Sequence, residues 1–251
     1  MEKLIQKAAD IILDSNLTLA LTGAGISVES GIPDFRSAGG LWSIYDPAEY
    51  ATIDAFHRDP DKVWNMLREM NALVENAKPN QAHTGLGELE AMGLLQYIIT
   101  QNVDNLHQEG GSRNVIEYHG NSSTLSCLWC GARYSSAEKR AERTPRCSCG
   151  KTLKPDVIFF GEEIPAAAMN LSFQLASSAD VLLIVGTSAT VSPANTIPLM
   201  VKKRGGRLIE INKEKTYLTG HLTDVFLEGS AGETIPSLLT RVRDLKKGEA
   251  H

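Results

Sequence analysis

Apolar residues recur along this chain with two spacings. Between positions 4 and 14 they fall at Leu4, Ile5, Ala8, Ile11 and Ile12, the spacing of one helix face, which predicts an amphipathic helix packed on a sheet. Leu17-Thr-Leu-Ala-Leu21 follows as a short apolar run, which predicts a buried strand. Leu95–Thr100, Val181–Val185 and Arg207–Ile211 repeat that pattern. From Pro47 to Ala77 the residues Phe56, Val63, Trp64, Leu67, Met70, Leu73 and Val74 return to helical spacing. A further helix is predicted from His83 to about Met92, and another, Ile235–Leu245, closes the pattern. There is no internal repeat and no low-complexity linker.

Strands alternating with helices predict an α/β fold, a doubly wound parallel sheet with helices on both faces. In such sheets ligands bind beyond the carboxyl ends of the strands. Here the four strands run into Thr22-Gly-Ala-Gly25, Gln101-Asn-Val-Asp104, Gly186-Thr-Ser188 and Asn212. This convergence of polar and glycine-rich ends predicts a dinucleotide site. Gly23 and Gly25 would let the backbone turn sharply and approach a pyrophosphate, although a purely structural turn reads the same way. Val28 stands where the hydride-transfer fingerprint has its third glycine, and no acidic residue closes a second strand about 20 residues on. Asn212 is the candidate for that ribose-binding work. Pro33-Asp-Phe-Arg36 and Gly39-Gly40 add a polar loop with a cation and an aromatic ring, more than a simple connection needs.

The 251 residues, 42% hydrophobic and 22% charged, suffice for a large core. A net charge of −5 argues against a general nucleic-acid binder and is compatible with basic, lysine-bearing substrates. No run is long enough to span a bilayer, and the first residues lack a signal-peptide apolar region, so no membrane partner and a cytoplasmic location are expected.

All four cysteines lie within 23 positions, as Cys127-Leu-Trp-Cys130 and Cys147-Ser-Cys149. Two close pairs predict a zinc ribbon whose four sulfurs leave no open coordination position, so the zinc would be structural. Disulfides or free thiols are the alternatives, and disulfides are disfavoured in a cytosolic chain. The basic residues between the pairs are interspersed with Glu138 and Glu142 and predict a solvated face. Among the six histidines, His57, His83, His107, His221 and His251 read as surface or satisfied core. His119 differs by position, lying between the Asn102/Asp104 cluster and the cysteine module, just before Gly120.

Gly23-Ala-Gly-Ile-Ser27 and Gly31-Ile-Pro-Asp-Phe-Arg36 resemble the signature of the sirtuins, the Sir2 family of NAD-dependent protein-lysine deacylases. Gln101–Asp104, Tyr118-His-Gly120, the four cysteines, Lys154–Glu162 and Gly186–Ser188 follow in that family's order, and the resemblance spans about Leu4 to Leu239. It implies a large Rossmann-like domain from 1–41, 80–120 and 152–251, and a small domain from a helical insertion, 42–79, and a zinc-binding insertion, 121–151. It implies NAD and Zn2+, the metal on Cys127, Cys130, Cys147 and Cys149. The pyrophosphate would lie on Gly23, Ala24 and Gly25, and the adenosine ribose near Gly186, Thr187, Ser188 and Asn212. Phe35 and Arg36 would close over the nicotinamide end. Ser27, Ile32, Asp34, Trp42, Gln101, Val103, Lys213 and Ala231 would complete the cofactor contacts.

The same resemblance makes His119 the general base, a role that suits an imidazole, with Asn102 and Asp104 holding the nicotinamide and its ribose. An acyl-lysine peptide would lie on Val157, Phe159, Phe160, Gly161, Glu162 and Val191, with the backbone at Gly161-Glu162 adding a strand to it. Lysine and O-acyl-ADP-ribose would be the products, and mono-ADP-ribosyl transfer to protein is the rival outcome. Sirtuins that take succinyl-lysine resemble one another in a Tyr and an Arg three positions apart on the helix after the glycine-rich loop. Here Leu67 and Met70 hold those positions, and Arg68 is turned away by about 100°.

Overall fold

In the computed structural model, which describes residues 1–248, the chain opens with helix α1 (Glu2–Leu13) and strand β1 (Thr18–Thr22). A 3-10 helix over Ala24–Ser30 follows, then α2 (Pro47–Tyr50), α3 (Ile53–Arg58), α4 (Pro60–Asn76) and α5 (Gln81–Ala91). Next come β2 (Tyr97–Thr100), α6 (Leu106–Glu109), β3 (Val115–Glu117), β4 (Gly120–Ser126), β5 (Arg133–Ser135) and β6 (Lys154–Val157). The last elements are α7 (Ala166–Ala176), β7 (Val181–Val185), α8 (Thr196–Lys203), β8 (Arg207–Asn212), β9 (Val225–Glu228) and α9 (Ala231–Gly248). His251 lies outside the described residues.

Six strands form one parallel sheet in the order β3-β2-β1-β7-β8-β9. Every residue of β1 and β7 is buried, as a parallel strand covered on both faces requires. One core joins α1, α5 and α9 to the sheet through Ile12, Leu86, Ile98, Ile209 and Leu238. A second, on the opposite face, joins α7 and α8 through Leu19, Ile99, Ala176, Leu182, Ile197 and Leu208. The doubly wound α/β fold expected from the strand–helix alternation is therefore present. From β1 the chain winds outward through β2 to β3, then returns to β7 and winds the other way. The strand order reverses between β1 and β7, and there the loops after neighbouring strands diverge and leave a crevice.

A separate antiparallel sheet, β5-β4-β6, stands beside the large one. Its core is shared with the helices after the first turn: Phe56, Val63, Trp64 and Met66 pack with Leu125, Cys127, Cys147, Leu153 and Phe159. The Trp64 indole donates to the Leu153 carbonyl at 2.9 Å. This small sheet is absent from the hydrophobic pattern, because its strands carry Gly, Ser, Thr, Lys and Pro and gain their core from segments distant in sequence. Strands β3 and β9 are also missed, each too short for a pattern to emerge. Strand β6 ends at Val157, and beyond it Phe160 makes only an isolated bridge to Thr52; Gly161 has φ +89°, and the Glu162 N–H closes a turn on the Phe159 carbonyl.

The expected closing helix gains four residues at its start. The Glu29 carboxylate accepts the Gly232 N–H at 2.7 Å, a cap supplied across about 200 residues of chain, with the stabilising sign of an anion at a helix N-terminus. Among the described residues no helix is long and apolar enough to cross a membrane.

Candidate active site

All the strand-end segments singled out above line one cavity of about 1180 Å3, which extends from the β1–β7 crevice to the small sheet. Gly23, Ala24, Gly25, Ser27, Ile32, Asp34, Phe35, Arg36 and Trp42 form one wall. Gln101, Asn102, Val103, Asp104 and His119 lie beneath, and Gly186, Thr187, Ser188, Asn212, Lys213 and Ala231 form the far end. Val157, Phe159, Phe160, Gly161, Glu162 and Val191 border the end nearest the small sheet. The cavity is large enough for a dinucleotide and a peptide side chain together.

The glycine turn after β1 owes its composition to a neighbour as well as to any ligand. Gly25 donates its N–H to the Gly186 carbonyl at 2.8 Å. A Cβ at Gly25 would lie 2.7 Å from that oxygen, and a Cβ at Gly23 would lie 2.7 Å from the Thr187 Cβ. The two turns at the switch point thus touch backbone to backbone. Gly186 itself has φ +60°, a conformation that side chains disfavour. The Asp34 carboxylate accepts the N–H groups of Arg36 and Ser37, at 3.0 and 2.8 Å, so it shapes the loop that presents Phe35 and Arg36. Phe35 packs on Trp42, ring centroids 5.0 Å apart, and Trp42 faces Phe160 at 6.4 Å.

Beneath that loop lies a buried polar network. Ser27 Oγ donates to Asp104 at 2.7 Å and accepts from Asn102 Nδ2 at 3.0 Å. His83 Nε2 approaches the same hydroxyl at 3.4 Å. The Asn80 N–H donates to His83 Nδ1 at 3.2 Å, which leaves Nε2 as the protonated nitrogen, pointing at Ser27. His83 is therefore part of the network behind the cavity, which the sequence reading missed. The signal was there in Asn80, a helix cap with a histidine at its third helical position; the observed helix starts at Gln81 for that reason. Behind it His107 packs edge-on, ring centroids 5.0 Å apart, and meets Thr22 Oγ1 at 2.8 Å through Nε2.

Burial sets the protonation of these rings. It lowers His83 to about 4, against an opposing pull from Asp104, and lowers His107 to about 3, helped by His83. It also lowers His119, against the raising effect of a bond to the Gln101 carbonyl. In that bond His119 Nδ1–H donates at 3.1 Å, so Nε2 is the basic nitrogen of a ring on the cavity wall.

The histidine values imply a pH effect on stability. Both folded values lie below that of the unfolded chain, so between about pH 4 and 6.5 the unfolded state binds more protons. Stability is then complete above about pH 6.5 and is lost as pH falls, with a slope approaching ~1.4 kcal/mol per pH unit for each histidine. Urea midpoints at pH 7.5, 6 and 5 should fall in that order. The fall should be shallower in His107→Gln, and equal slopes in the two proteins would exclude His107 as a source.

The four cysteines are unpaired. Their sulfurs lie within 4.8 Å of one another, with Cys127 to Cys149 at 3.6 Å and Cys130 to Cys147 at 3.5 Å. A tetrahedral zinc with ~2.3 Å bonds needs sulfur–sulfur edges of ~3.8 Å, so the thiols fit that ion. The Cys149 N–H, then the Tyr134 hydroxyl, hold the Cys147 thiol down to about 5, toward the thiolate a metal takes. Around the cluster, Arg133 pairs with Asp156, Lys139 with Glu142 and Arg140 with Glu75; the expected face is solvated, and its cations find acids mostly from outside the segment.

A doubly wound sheet with a dinucleotide-sized crevice at its switch point, a histidine on its wall and a four-thiol module beside it defines a class of zinc-bearing, nucleotide-dependent enzymes. The Sir2 family profile matches residues 23–193. The chain is 46% identical over 252 aligned positions to the NAD-dependent protein deacylase of Thermococcus kodakarensis, covering 97% of this chain and 98% of that protein. A solved Sir2 homolog–NAD complex superposes with a TM-score of 0.89 at 44% identity, covering 95% of this chain and 94% of that one. A Sir2 structure with a deacetylated p53 peptide and 3′-O-acetyl-ADP-ribose gives a TM-score of 0.89 at 33% identity, covering 94% and 97%. The chain belongs to the Sir2 family.

Proposed function

We propose that this protein is an NAD-dependent protein-lysine deacetylase that releases nicotinamide, free lysine and O-acyl-ADP-ribose. The observation that carries this reading is the position of His119. Its Nδ1–H is held by the Gln101 carbonyl, and the ring stands on the wall of the cavity that also contains both switch-point turns. When bound there, NAD supplies an electrophilic ribose carbon and a leaving group. His119 Nε2, neutral because burial lowers its affinity for protons, takes a proton from a ribose hydroxyl as general base. Asn102 and Asp104, oriented by Ser27, hold the nicotinamide end. Phe35, Arg36 and Trp42 cover it and exclude water, which favours acyl transfer over simple hydrolysis.

The acyl-lysine stem runs past Val157, Phe159 and Val191. Gly161 offers an N–H and a carbonyl with no backbone partner among the described residues, which suits pairing with an extended peptide. The core shared by the helices of 42–79 and the cysteine module supports a small domain built from two insertions, with the peptide entering between it and the large sheet. Unpaired thiols arranged for a metal support a reducing, cytoplasmic location, and the acidic balance disfavours nucleic acid as a partner.

Acyl selectivity follows from α4. Leu67 and Met70 line the cavity, whereas Arg68 Nη1 donates to the Glu142 carbonyl at 2.9 Å on the side of the cysteine module. A succinyl carboxylate would meet an apolar wall unpaired. With NAD and one peptide carrying either group, nicotinamide release should depend on the peptide and favour acetyl over succinyl by at least about tenfold in kcat/KM. Release without any peptide, with ADP-ribose gained by protein, would favour mono-ADP-ribosyl transfer. Equal or faster release on the succinyl peptide would sink the selectivity.

A further inference from the structure

Glu210 is fully buried in β8, next to the edge strand β9, yet no cation lies within ion-pair distance of it among the described residues. Its two neighbours in register are Ile184 and Phe226. A carboxylate in such a place must be satisfied by hydrogen bonds or it destabilises the fold. Four donors satisfy it. Oε1 accepts from Thr216 Oγ1 at 2.6 Å and from Asn212 Nδ2 at 3.3 Å, and Oε2 accepts from Thr219 Oγ1 at 2.7 Å and Thr223 Oγ1 at 2.9 Å.

Two of these hydroxyls carry the contact further. Thr216 Oγ1 also accepts the Leu218 N–H at 3.1 Å, and Thr219 Oγ1 accepts the Thr216 N–H at 3.0 Å. The carboxylate thereby fixes the turn over 216–219, and the segment leading into it, Lys213 to Tyr217, lines the far end of the cavity. Asn212 is fixed by the same group. Its Nδ2 lies between Glu210 Oε1 and the Thr187 carbonyl, the latter at 3.2 Å. Two acceptors require the amide nitrogen on that side, so Oδ1 is the atom left for a ligand.

We propose that Glu210 is a positioning residue for the adenosine end of the cleft. It orients Asn212 so that a carbonyl oxygen accepts a ribose hydroxyl, the work an acidic side chain does in hydride-transfer folds, and it holds the loop that borders the adenosine. This rests on the NAD reading above. A hydroxyl of the adenosine ribose is the group recognised, so the consequence is confined to cofactor affinity.

The test uses the full-length, zinc-loaded protein. In Glu210→Gln one carboxylate oxygen becomes an NH2 group facing hydroxyl and amide donors. The KM for NAD and the Kd for ADP-ribose should rise about tenfold, the worth of one to two neutral hydrogen bonds. The kcat at saturating NAD and the KM for acetyl peptide should stay within about twofold. NAD analogues lacking the 2′- or 3′-hydroxyl of the adenosine ribose should bind the wild type more weakly than NAD, and that penalty should shrink in the variant. A merely structural glutamate would lower thermal stability without changing that discrimination.

Should Glu210→Gln not fold, Thr216→Val and Thr219→Val each remove one donor and leave the carboxylate. Both should weaken ADP-ribose, because each hydroxyl also holds a backbone N–H of the 216–219 turn, whereas Thr223→Val, whose hydroxyl bonds only Glu210, should lower stability alone. Unchanged hydroxyl discrimination in Glu210→Gln, or equal weakening by Thr223→Val, would overturn the proposal while leaving the NAD reading intact. Failure of the wild type to bind ADP-ribose would remove both.

Discussion

His119→Ala is expected to lower peptide deacetylation by roughly 10²–10⁴-fold while ADP-ribose binding and thermal stability stay close to wild type. That range is the usual worth of a positioned acid–base group. The fold should tolerate the change because the residue is only partly buried at the cavity wall, and its ring is held by a single hydrogen bond, to the Gln101 carbonyl. The proton transfer follows departure of nicotinamide, so exchange of labelled nicotinamide into NAD should decline far less than deacetylation. This contrast separates loss of a base from a general disturbance of the site.

The pH profile adds a sign. Burial lowers His119 below its ordinary value of 6.5, and the base must be neutral to act. The acid limb of kcat/KM should therefore lie below pH 6.5 and vanish in His119→Ala. Near-wild-type turnover in the variant would remove His119 from the chemistry.

Cys130→Ser is expected to release zinc and to unfold the small sheet and the helices that share its core. The metal would cross-link two segments, Cys127–Cys130 and Cys147–Cys149, whose strands are short and polar. In small zinc modules the apparent binding free energy of ~10–16 kcal/mol is also folding free energy. Cys127 and Cys147 lie in the same apolar cluster as Phe56, Trp64 and Leu153, so the loss should spread to α3 and α4. Hydrogen exchange should show rapid exchange across α3, α4 and β4–β6, with β1, β7 and β8 still protected. Elemental analysis should find one zinc per wild-type chain and much less in the variant. A wild type without zinc, or with disulfides after purification under reducing conditions, would refute the assignment.

Much of this was legible without coordinates. Val181–Val185 is an unbroken apolar run, and strands covered on both faces must be of that kind; its bounds agree with the observed strand. The four polar strand ends could be placed on one edge because parallel strands all point the same way. The cysteine spacing predicted a metal cluster because thiols so close in sequence can converge on one ion with little chain in between. Leu67, Arg68 and Met70 obeyed helix geometry alone, and the 100° step of the helix separated Arg68 from the cavity.

What remained required the tertiary structure, and the reason is the same in each case. His83 reads as an ordinary helix residue until Ser27, 56 positions away, arrives beside it together with Asp104, itself 77 positions from Ser27. Gly25 looks like a ligand-facing glycine until Gly186 closes against it. The start of α9 depends on Glu29, and the second sheet depends on apolar side chains from α3 and α4. Local sequence determines which backbone conformations and faces are favourable. Which buried polar groups find partners, and which glycines have no room for a side chain, is decided by segments that meet only when the chain is folded.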